Sequence, residues 1–242
     1  MHECCGGLAA ALAASDLGRQ VVLTEAGSWL GGQLTSQAVP PDEHPWVEHT
    51  GATARYRQLR EAVRARYKRT RRLTESAKQD PLLNPGAAWV SNLSAEPVVF
   101  REVLDDLVRP AQAQGTLRCL MRHRPVAAAM DGDQVAAVTV QDSHTSENVT
   151  ITASYVLDAT DEGDLLLLTG CESIIGAESV ATTGEPHALD GPPDPHRTSR
   201  RSRGARRWSG DPTRTTSSSG LRGTNSGDAI GPSSGRGLSW AG

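Results

Sequence analysis

One stretch combines an apolar run with residues that can do chemistry. Residues 155–164 read YVLDATDEGD, so the run ends in small and acidic residues with one glycine. This order predicts a buried strand that delivers a tight loop and the carboxylate of Asp164 to the carboxyl edge of a sheet, where α/β proteins hold nucleotides. The apolar residues 165–168 begin a new segment. We therefore expect the loop to be held on both sides.

A second carboxylate fits the pattern of a dinucleotide-binding unit. An alanine-rich helix is predicted over residues 6–17, and a short buried strand over residues 20–25 ends at Glu25. Glu25 follows Gly7 by about 18 residues, close to the ~20 expected for a carboxylate that bonds a ribose hydroxyl. If Gly7 is the third glycine of the usual phosphate loop, the preceding strand and most of that loop are missing. This match alone is weak.

Helices and short strands account for the region between these two carboxylates. The arginine-rich residues 54–72 carry apolar side chains at spacings of three and four, which predicts an amphipathic helix with a basic face. Pro97 opens a second amphipathic helix, and Asp131-Gly132 is a hairpin signal. Strands are predicted at residues 117–121, 126–130, 135–140, 149–153 and 156–159. The order predicts an α/β fold, with a parallel sheet, helices and a small antiparallel β-meander.

Charge and residue usage divide the chain in two. The formal net charge of -3 combines an acidic body, about -10 through residue 195, with a basic remainder of about +7. Residues 196–242 are rich in arginine, serine and glycine and hold few apolar residues. Such a segment cannot bury a core, so we expect it to be disordered. One interpretation of this tail is a basic linker or an RNA-binding segment.

Several other kinds of site are not predicted. The histidines and carboxylates of residues 40–50 lack the spacing of a standard ligand set, so we expect a polar surface loop and no metal. No apolar run reaches the roughly 18 residues that a membrane span needs. The cysteines fit no disulfide or zinc spacing, which predicts reduced thiols and a cytoplasmic location. Nucleic-acid binding is not favoured, because the body is acidic and carries no reader motif.

Three segments resemble FAD-dependent oxidoreductases of the two-dinucleotide-binding-fold superfamily, in particular a bacterial family of that description. They are GLAAALAASDLGRQVVLTEAGSWLGGQLTSQAVPPDEHPW from Gly7, LNPGAAWVS from Leu83, and YVLDATDEGDLLLLTG from Tyr155. The last is similar to the superfamily's second FAD motif, A-T-x-x-G-D. The resemblance implies a partial Rossmann-like FAD-binding domain over residues 1–195 that lacks its first strand.

The resemblance also implies which residues would contact FAD. The helix N-terminus would approach the pyrophosphate, the strand-end carboxylate would accept from the adenosine ribose, and a backbone group of a later strand would hold the adenine. The glycine loop and the second motif would run beside the pyrophosphate, ribityl and flavin groups. Capping of the following helix is the alternative role for Asp164. The implied FAD-binding residues are Gly7, Glu25, Gly31, Gly32, Gln33, Val126, Gly163 and Asp164.

The resemblance changes the interpretation of the tail. A back-translation of residues 197–212, read in the neighbouring frame, yields a segment that resembles what such flavoproteins carry directly after residues 188–195. We therefore expect residues 196–242 to be an out-of-frame product and the start of the chain to be late or frame-displaced. The out-of-frame tail and the displaced start both predict that the chain binds FAD poorly.

The predicted function is flavin-mediated redox of a small-molecule substrate, with FAD as the cofactor and with activity impaired in this chain. Two alternatives stay open: a non-catalytic fragment or pseudogene product, and a basic-tailed nucleic-acid-binding protein. The residues indicate neither the substrate nor the catalytic groups, and they leave the oligomeric state undecided.

Overall fold

The computed structural model describes residues 5–173, 176–192 and 194, together with the backbone of residues 236–238. The helices are α1 (Cys5–Asp16), α2 (Ala54–Thr70), α3 (Glu75–Gln79), α4 (Pro97–Ala113), α5 (Asp164–Thr169) and α6 (Val180–Thr183), with a 3-10 turn at Gly32–Leu34. The strands are β1 (Val21–Glu25), β2 (Leu117–Met121), β3 (His123–Asp131), β4 (Gln134–Asp142), β5 (Asn148–Ile151) and β6 (Arg236–Leu238). The predicted α/β class is confirmed.

A two-stranded parallel sheet lies at the centre of the packed helices. Strand β1 pairs with β2 in a register that matches Val21 to Leu117 and Glu25 to Met121. Helices α1 and α4 pack against this pair and share one hydrophobic core with it. Parallel neighbours need a long crossover, and here α2, α3 and α4 provide it. The sheet edge at Glu25 is therefore built on a buried core.

Local sequence explains where the two long helices begin and which face they bury. The hydroxyl of Thr53 accepts from the backbone N–H of Tyr56 and caps α2, as expected for an N-cap threonine. Pro97 lies in the first turn of α4, where its missing N–H costs nothing. The apolar stripe of α4 is buried and comprises Val99, Phe100, Val103, Leu104, Val108 and Ala111. Both predicted helices are confirmed.

The antiparallel meander follows the predicted order. Asp131 pairs with Gln134 across a two-residue turn, and Gly132 adopts a positive φ of 59° there, a conformation that favours glycine. Strand β4 also pairs with β5, and the backbone of β6 runs parallel to β5. Apart from β6, the expected disordered tail lies outside the described residues. The reading-frame interpretation stays a prediction.

The prediction of a buried strand at residues 156–159 is wrong. Residues 155–159 have no regular secondary structure, and the side chains of Tyr155 and Leu157 are 91% and 74% exposed. A strand requires a neighbour that pairs with its backbone groups, and in the described part of the chain β1 pairs with β2 rather than with this segment. Contacts from the side chain of Asp158 stabilise the loop instead.

No helix in the described ranges has the length and apolar character needed to cross a bilayer.

Candidate functional site

The N-terminus of α1 lies against the glycine loop that follows β1. The thiol of Cys5 donates to the carbonyl oxygen of Gly31 at 3.2 Å. Gly7 is buried in the first turn of the same helix. The structure thus brings together two of the predicted positions, Gly7 and Gly31. A helix N-terminus beside a glycine loop offers backbone N–H groups and a positive dipole end to an anion.

Glu25 occupies the carboxyl end of β1 and is fully buried. Its Oε1 accepts from the backbone N–H of Gly27 at 2.6 Å, and the carbonyl of Gly27 accepts from the backbone N–H of Arg122 at 2.9 Å. The turn after β1 is therefore bonded to the end of β2. These contacts orient the carboxylate at the sheet edge where α/β proteins bind nucleotides.

The loop at Gly31 and Gly32 requires glycine for two separate reasons. Gly31 has φ 102° and Gly32 has φ 44°, a region that side chains disfavour. A Cβ atom on Gly31 would also lie 2.4 Å from the Cδ1 atom of Leu104. The loop therefore packs directly on α4. Gln33 follows, and its side-chain amide donates to the carbonyl of Pro40 at 3.1 Å, so this amide holds its own loop.

The second predicted motif forms the start of α5. Gly163 is buried and is the N-cap residue, with φ 66°. Asp164 is the first helical residue, and its backbone N–H donates to the hydroxyl of Thr160 at 2.8 Å. The alternative in which Asp164 is the N-cap is wrong, because Gly163 occupies that position. Asp164 still places a negative charge in the first turn, where the helix dipole favours it.

One hydrogen bond joins the two motifs. The side-chain amide of Gln37 donates to Oδ2 of Asp161 at 2.7 Å, across 124 positions of the sequence. The glycine loop after β1 and the acidic loop before α5 are therefore neighbours. Helix α5 also packs against β3, the strand that carries Val126. The structure thus makes neighbours of the segments that carry these predicted positions.

Val126 lies at an irregularity in its strand. The pairing of β3 with β4 shifts between Pro125 and Ala127, so Val126 falls outside the regular register of the ladder. A residue in a β-bulge is left out of the strand pairing. This geometry suits a backbone contact with a ligand, which is the role that the resemblance implies for Val126.

Sequence reasoning missed Gln37, Asp158 and Thr160. Gln37 follows Gln33 by four positions and carries no recognisable signal of a distant partner. Asp158 and Thr160 do carry one, because an aspartate two residues before a threonine N–H is the pattern of an Asx-turn. The carboxylate of Asp158 accepts from both the N–H and the hydroxyl of Thr160, at 3.0 and 2.7 Å.

The loop of residues 40–50 is not the simple surface loop that the sequence predicts. The side chains of Glu43 and Glu48 turn inward and form ion pairs with Arg60, and Glu48 also pairs with Arg64. Tyr56 donates its hydroxyl to Glu43. We call these five residues the α2 ion cluster. Unpaired buried charges are costly, so the inward turn depends on this pairing.

The electrostatics of the α2 ion cluster favour its charged form. Burial alone would raise the pKa of Glu48, but hydrogen bonds and charge from Arg64 and Arg60 outweigh it, so the pKa lies below its ordinary value of 4.5. Burial and the neighbouring Glu43 raise the pKa of the Tyr56 hydroxyl. Within the described ranges no three histidine, cysteine, aspartate or glutamate side chains are grouped as a metal ligand set.

The fold and these contacts define an α/β protein with the features of a dinucleotide site. A family model described as FAD dependent oxidoreductase matches residues 5–226. The chain belongs to this family, which binds FAD as its cofactor and carries out flavin redox chemistry. No curated protein and no solved structure matches the chain.

Proposed function

We propose that this chain binds FAD at the region where the two motifs meet and uses it for redox of a small-molecule substrate. The observation that carries the proposal is the hydrogen bond from Gln37 to Asp161, which makes the two motifs neighbours. Each motif by itself is a common turn. Side by side, they present a helix N-terminus and two glycine turns to one ligand, with the carboxylate of Glu25 buried at the adjoining strand end.

Different groups of the protein bind different parts of the cofactor. The N-terminus of α1 at Gly7 and the loop at Gly31, Gly32 and Gln33 approach the pyrophosphate. Glu25 accepts from the adenosine ribose, and the bulged backbone at Val126 holds the adenine. The turn at Gly163 and Asp164 contacts the ribityl chain. The isoalloxazine of FAD supplies the redox chemistry, and the protein orients it.

The ion pairs of the basic helix count against the nucleic-acid-binding alternative. Four arginines of α2, and Arg71 directly after it, form ion pairs with carboxylates of the chain: Arg55 with Asp16, Arg60 with Glu43 and Glu48, Arg64 with Glu48, Arg66 with Glu102 and Asp106, and Arg71 with Glu96. Nucleic-acid affinity comes mainly from cations that are free to neutralise phosphates. Arginines held by carboxylates contribute little to this affinity.

The cytoplasmic location stays a prediction.

We further propose that the chain holds FAD weakly, which limits its activity. The segment that leads into the second motif is exposed and belongs to no sheet. A cofactor site gains affinity when its contact groups are held in place before binding. The exposed segment at Tyr155 and Leu157 provides little of this support, so ordering it takes up part of the binding free energy.

Two glycines at opposite ends of α5 provide a matched test. Gly163 and Gly170 have nearly the same left-handed backbone, with φ of 66° and 68°. Alanine at either position costs about 1 kcal/mol of backbone strain. Only Gly163 is proposed to contact FAD. We therefore expect Gly163→Ala to weaken FAD binding by about tenfold more than Gly170→Ala, because an added side chain displaces the ligand.

The measurement is a titration of the purified full chain with FAD, followed by flavin fluorescence and by absorbance near ~450 nm after gel filtration. Weak but saturable binding supports the proposal. Absence of any spectral change at millimolar FAD, or equal affinities of the two alanine variants, would contradict it. A salt-dependent shift with RNA in place of flavin binding would instead favour the nucleic-acid-binding alternative.

A further inference from the structure

The loop before α5 is held by a small set of hydrogen bonds that centre on one carboxylate and one hydroxyl. Oδ1 of Asp158 accepts from the N–H of Thr160 at 3.0 Å and from its hydroxyl at 2.7 Å. Oδ2 of Asp158 accepts from the N–H of Leu165 at 3.1 Å. The hydroxyl of Thr160 accepts from the N–H of Asp164 at 2.8 Å. We call these four bonds the Asp158–Thr160 clasp.

The clasp joins the chain before Gly163 to the chain after it. Helix N-termini leave backbone N–H groups without partners inside the helix, and here the first two of α5 are bonded by residues four and seven positions earlier. The intervening residues 161–163 must therefore form a closed turn. Both oxygens of Asp158 and both roles of the Thr160 hydroxyl, donor and acceptor, are used.

This arrangement is important because residues 155–159 have no regular secondary structure. The side chains of Tyr155 and Leu157 are exposed, and between Leu157 and Gly163 the structure assigns β pairing to Thr160 alone. Hydrogen bonds to a charged acceptor are stronger than those between neutral groups. The clasp, together with the hydrogen bond from Gln37 to Asp161, therefore orders the turn that carries Gly163 and Asp164.

We propose that Asp158 and Thr160 are positioning residues that hold the turn at Gly163 and Asp164 in the conformation that receives FAD. The proposal rests on the proposed function, since FAD is the ligand it concerns. Neither side chain is required to touch the cofactor. Their effect passes through the backbone of Asp164 and Leu165, which sets the direction of the Asp164 side chain and the opening of the left-handed turn at Gly163.

Substitutions at Thr160 separate the hydroxyl from the shape of the side chain. Thr160→Val keeps the shape and removes both hydrogen bonds of the hydroxyl, whereas Thr160→Ser keeps the hydroxyl and removes one methyl group. Asp158→Asn retains one acceptor oxygen but turns an N–H donor toward a backbone N–H. Glu162→Gln changes a charge within the same loop at an exposed residue outside the clasp and serves as the control.

Two readouts test the proposal on the full chain. Amide hydrogen exchange at Asp164 and Leu165 in the FAD-free protein reports the clasp directly. We expect Thr160→Val to speed exchange at Asp164, and Asp158→Asn to speed it at Leu165, by about tenfold, the effect of losing one hydrogen bond of roughly 1.4 kcal/mol. FAD affinity, from the fluorescence titration, should fall by a similar factor. Thr160→Ser and Glu162→Gln should stay near the unmodified chain in both measurements.

The possible outcomes distinguish a failure of the clasp proposal from a failure of the proposed cofactor site. Unchanged exchange in Thr160→Val overturns the proposal, whatever the affinity for FAD. Faster exchange with unchanged FAD affinity also overturns it, because the turn would then not need to be held. Failure of the unmodified chain to bind FAD overturns the proposed function together with the positioning role, while the exchange data still decide whether the clasp orders the turn.

Discussion

The side-chain amide of Gln37 lies 2.7 Å from Oδ2 of Asp161 and donates a hydrogen bond to it across 124 positions of the chain. Replacement by leucine removes this bond while keeping a side chain of similar volume. We expect Gln37→Leu to weaken FAD binding by about tenfold, since a hydrogen bond to a charged group contributes about 1.5–3 kcal/mol. Gln112→Leu, at an exposed position of α4, is the control in the fluorescence titration. Equal affinities would show that the two loops stay together without this bond.

Gly31 should tolerate no side chain. Gly31→Ala combines a disfavoured positive φ with a Cβ atom 2.4 Å from Cδ1 of Leu104, so we expect a loss of about 3 kcal/mol in the free energy of unfolding. Gly18→Ala is the control, because Gly18 also has positive φ but has no atom within 4 Å of its Cβ position. Urea unfolding of both variants measures the difference. Similar losses would mean that Leu104 moves aside at little cost.

The α2 ion cluster predicts a specific dependence of stability on pH. The pKa of Glu48 is lowered below 4.5 in the folded chain, so its stabilising contribution is complete above 4.5 and is lost as the pH falls through the folded value. Glu48→Gln should lower the free energy of unfolding by about 2 kcal/mol at pH 7. This loss is smaller than for most buried ion pairs, because Arg64 also donates to the carbonyls of Leu83 and Asn92. This cost should shrink steadily below pH 4.5. Urea unfolding across the acid range measures it, and a cost that does not change with pH would contradict the assignment.

Ser15 is a position where a smaller side chain should stabilise the chain. Its hydroxyl is buried without a hydrogen-bond partner among the described residues, and it lines a cavity of about 200 Å³ between α1, α2 and α4. Ser15→Ala removes an unsatisfied polar group and improves helix propensity, so we expect a gain of about 1 kcal/mol. Thermal unfolding measures this gain. A loss of stability would show that water in the cavity bonds the hydroxyl.

The elements of this fold follow from local sequence, but their partners do not. The helices at Cys5–Asp16, Ala54–Thr70 and Pro97–Ala113 could be predicted because the apolar spacing, glycine and proline that define them lie within a few residues of each other. The strand predicted at 156–159 failed because strand formation depends on a neighbour elsewhere in the chain.

The candidate site shows the same division. Its glycines and carboxylates could be located by motif, since each motif is one local turn. The bond between Gln37 and Asp161, the clasp at Asp158 and Thr160, and the inward turn of Glu43 and Glu48 depend on which segments meet in space. The type of a residue does not indicate which distant segment it will contact. Glu48 looks like any surface glutamate until Arg60 and Arg64 are placed beside it.

The parallel pairing of β1 with β2 has a consequence for how the chain folds. Val21 pairs with Leu117, so the pairing closes a loop of roughly a hundred residues and carries the entropy cost of that closure. Helices α1, α2 and α4 form from local contacts and can appear much earlier. During synthesis β1 leaves the ribosome long before β2 exists. The apolar residues of β1 therefore stay unpaired in a partly folded chain until β2 is made. This is the stage at which a chaperone would act.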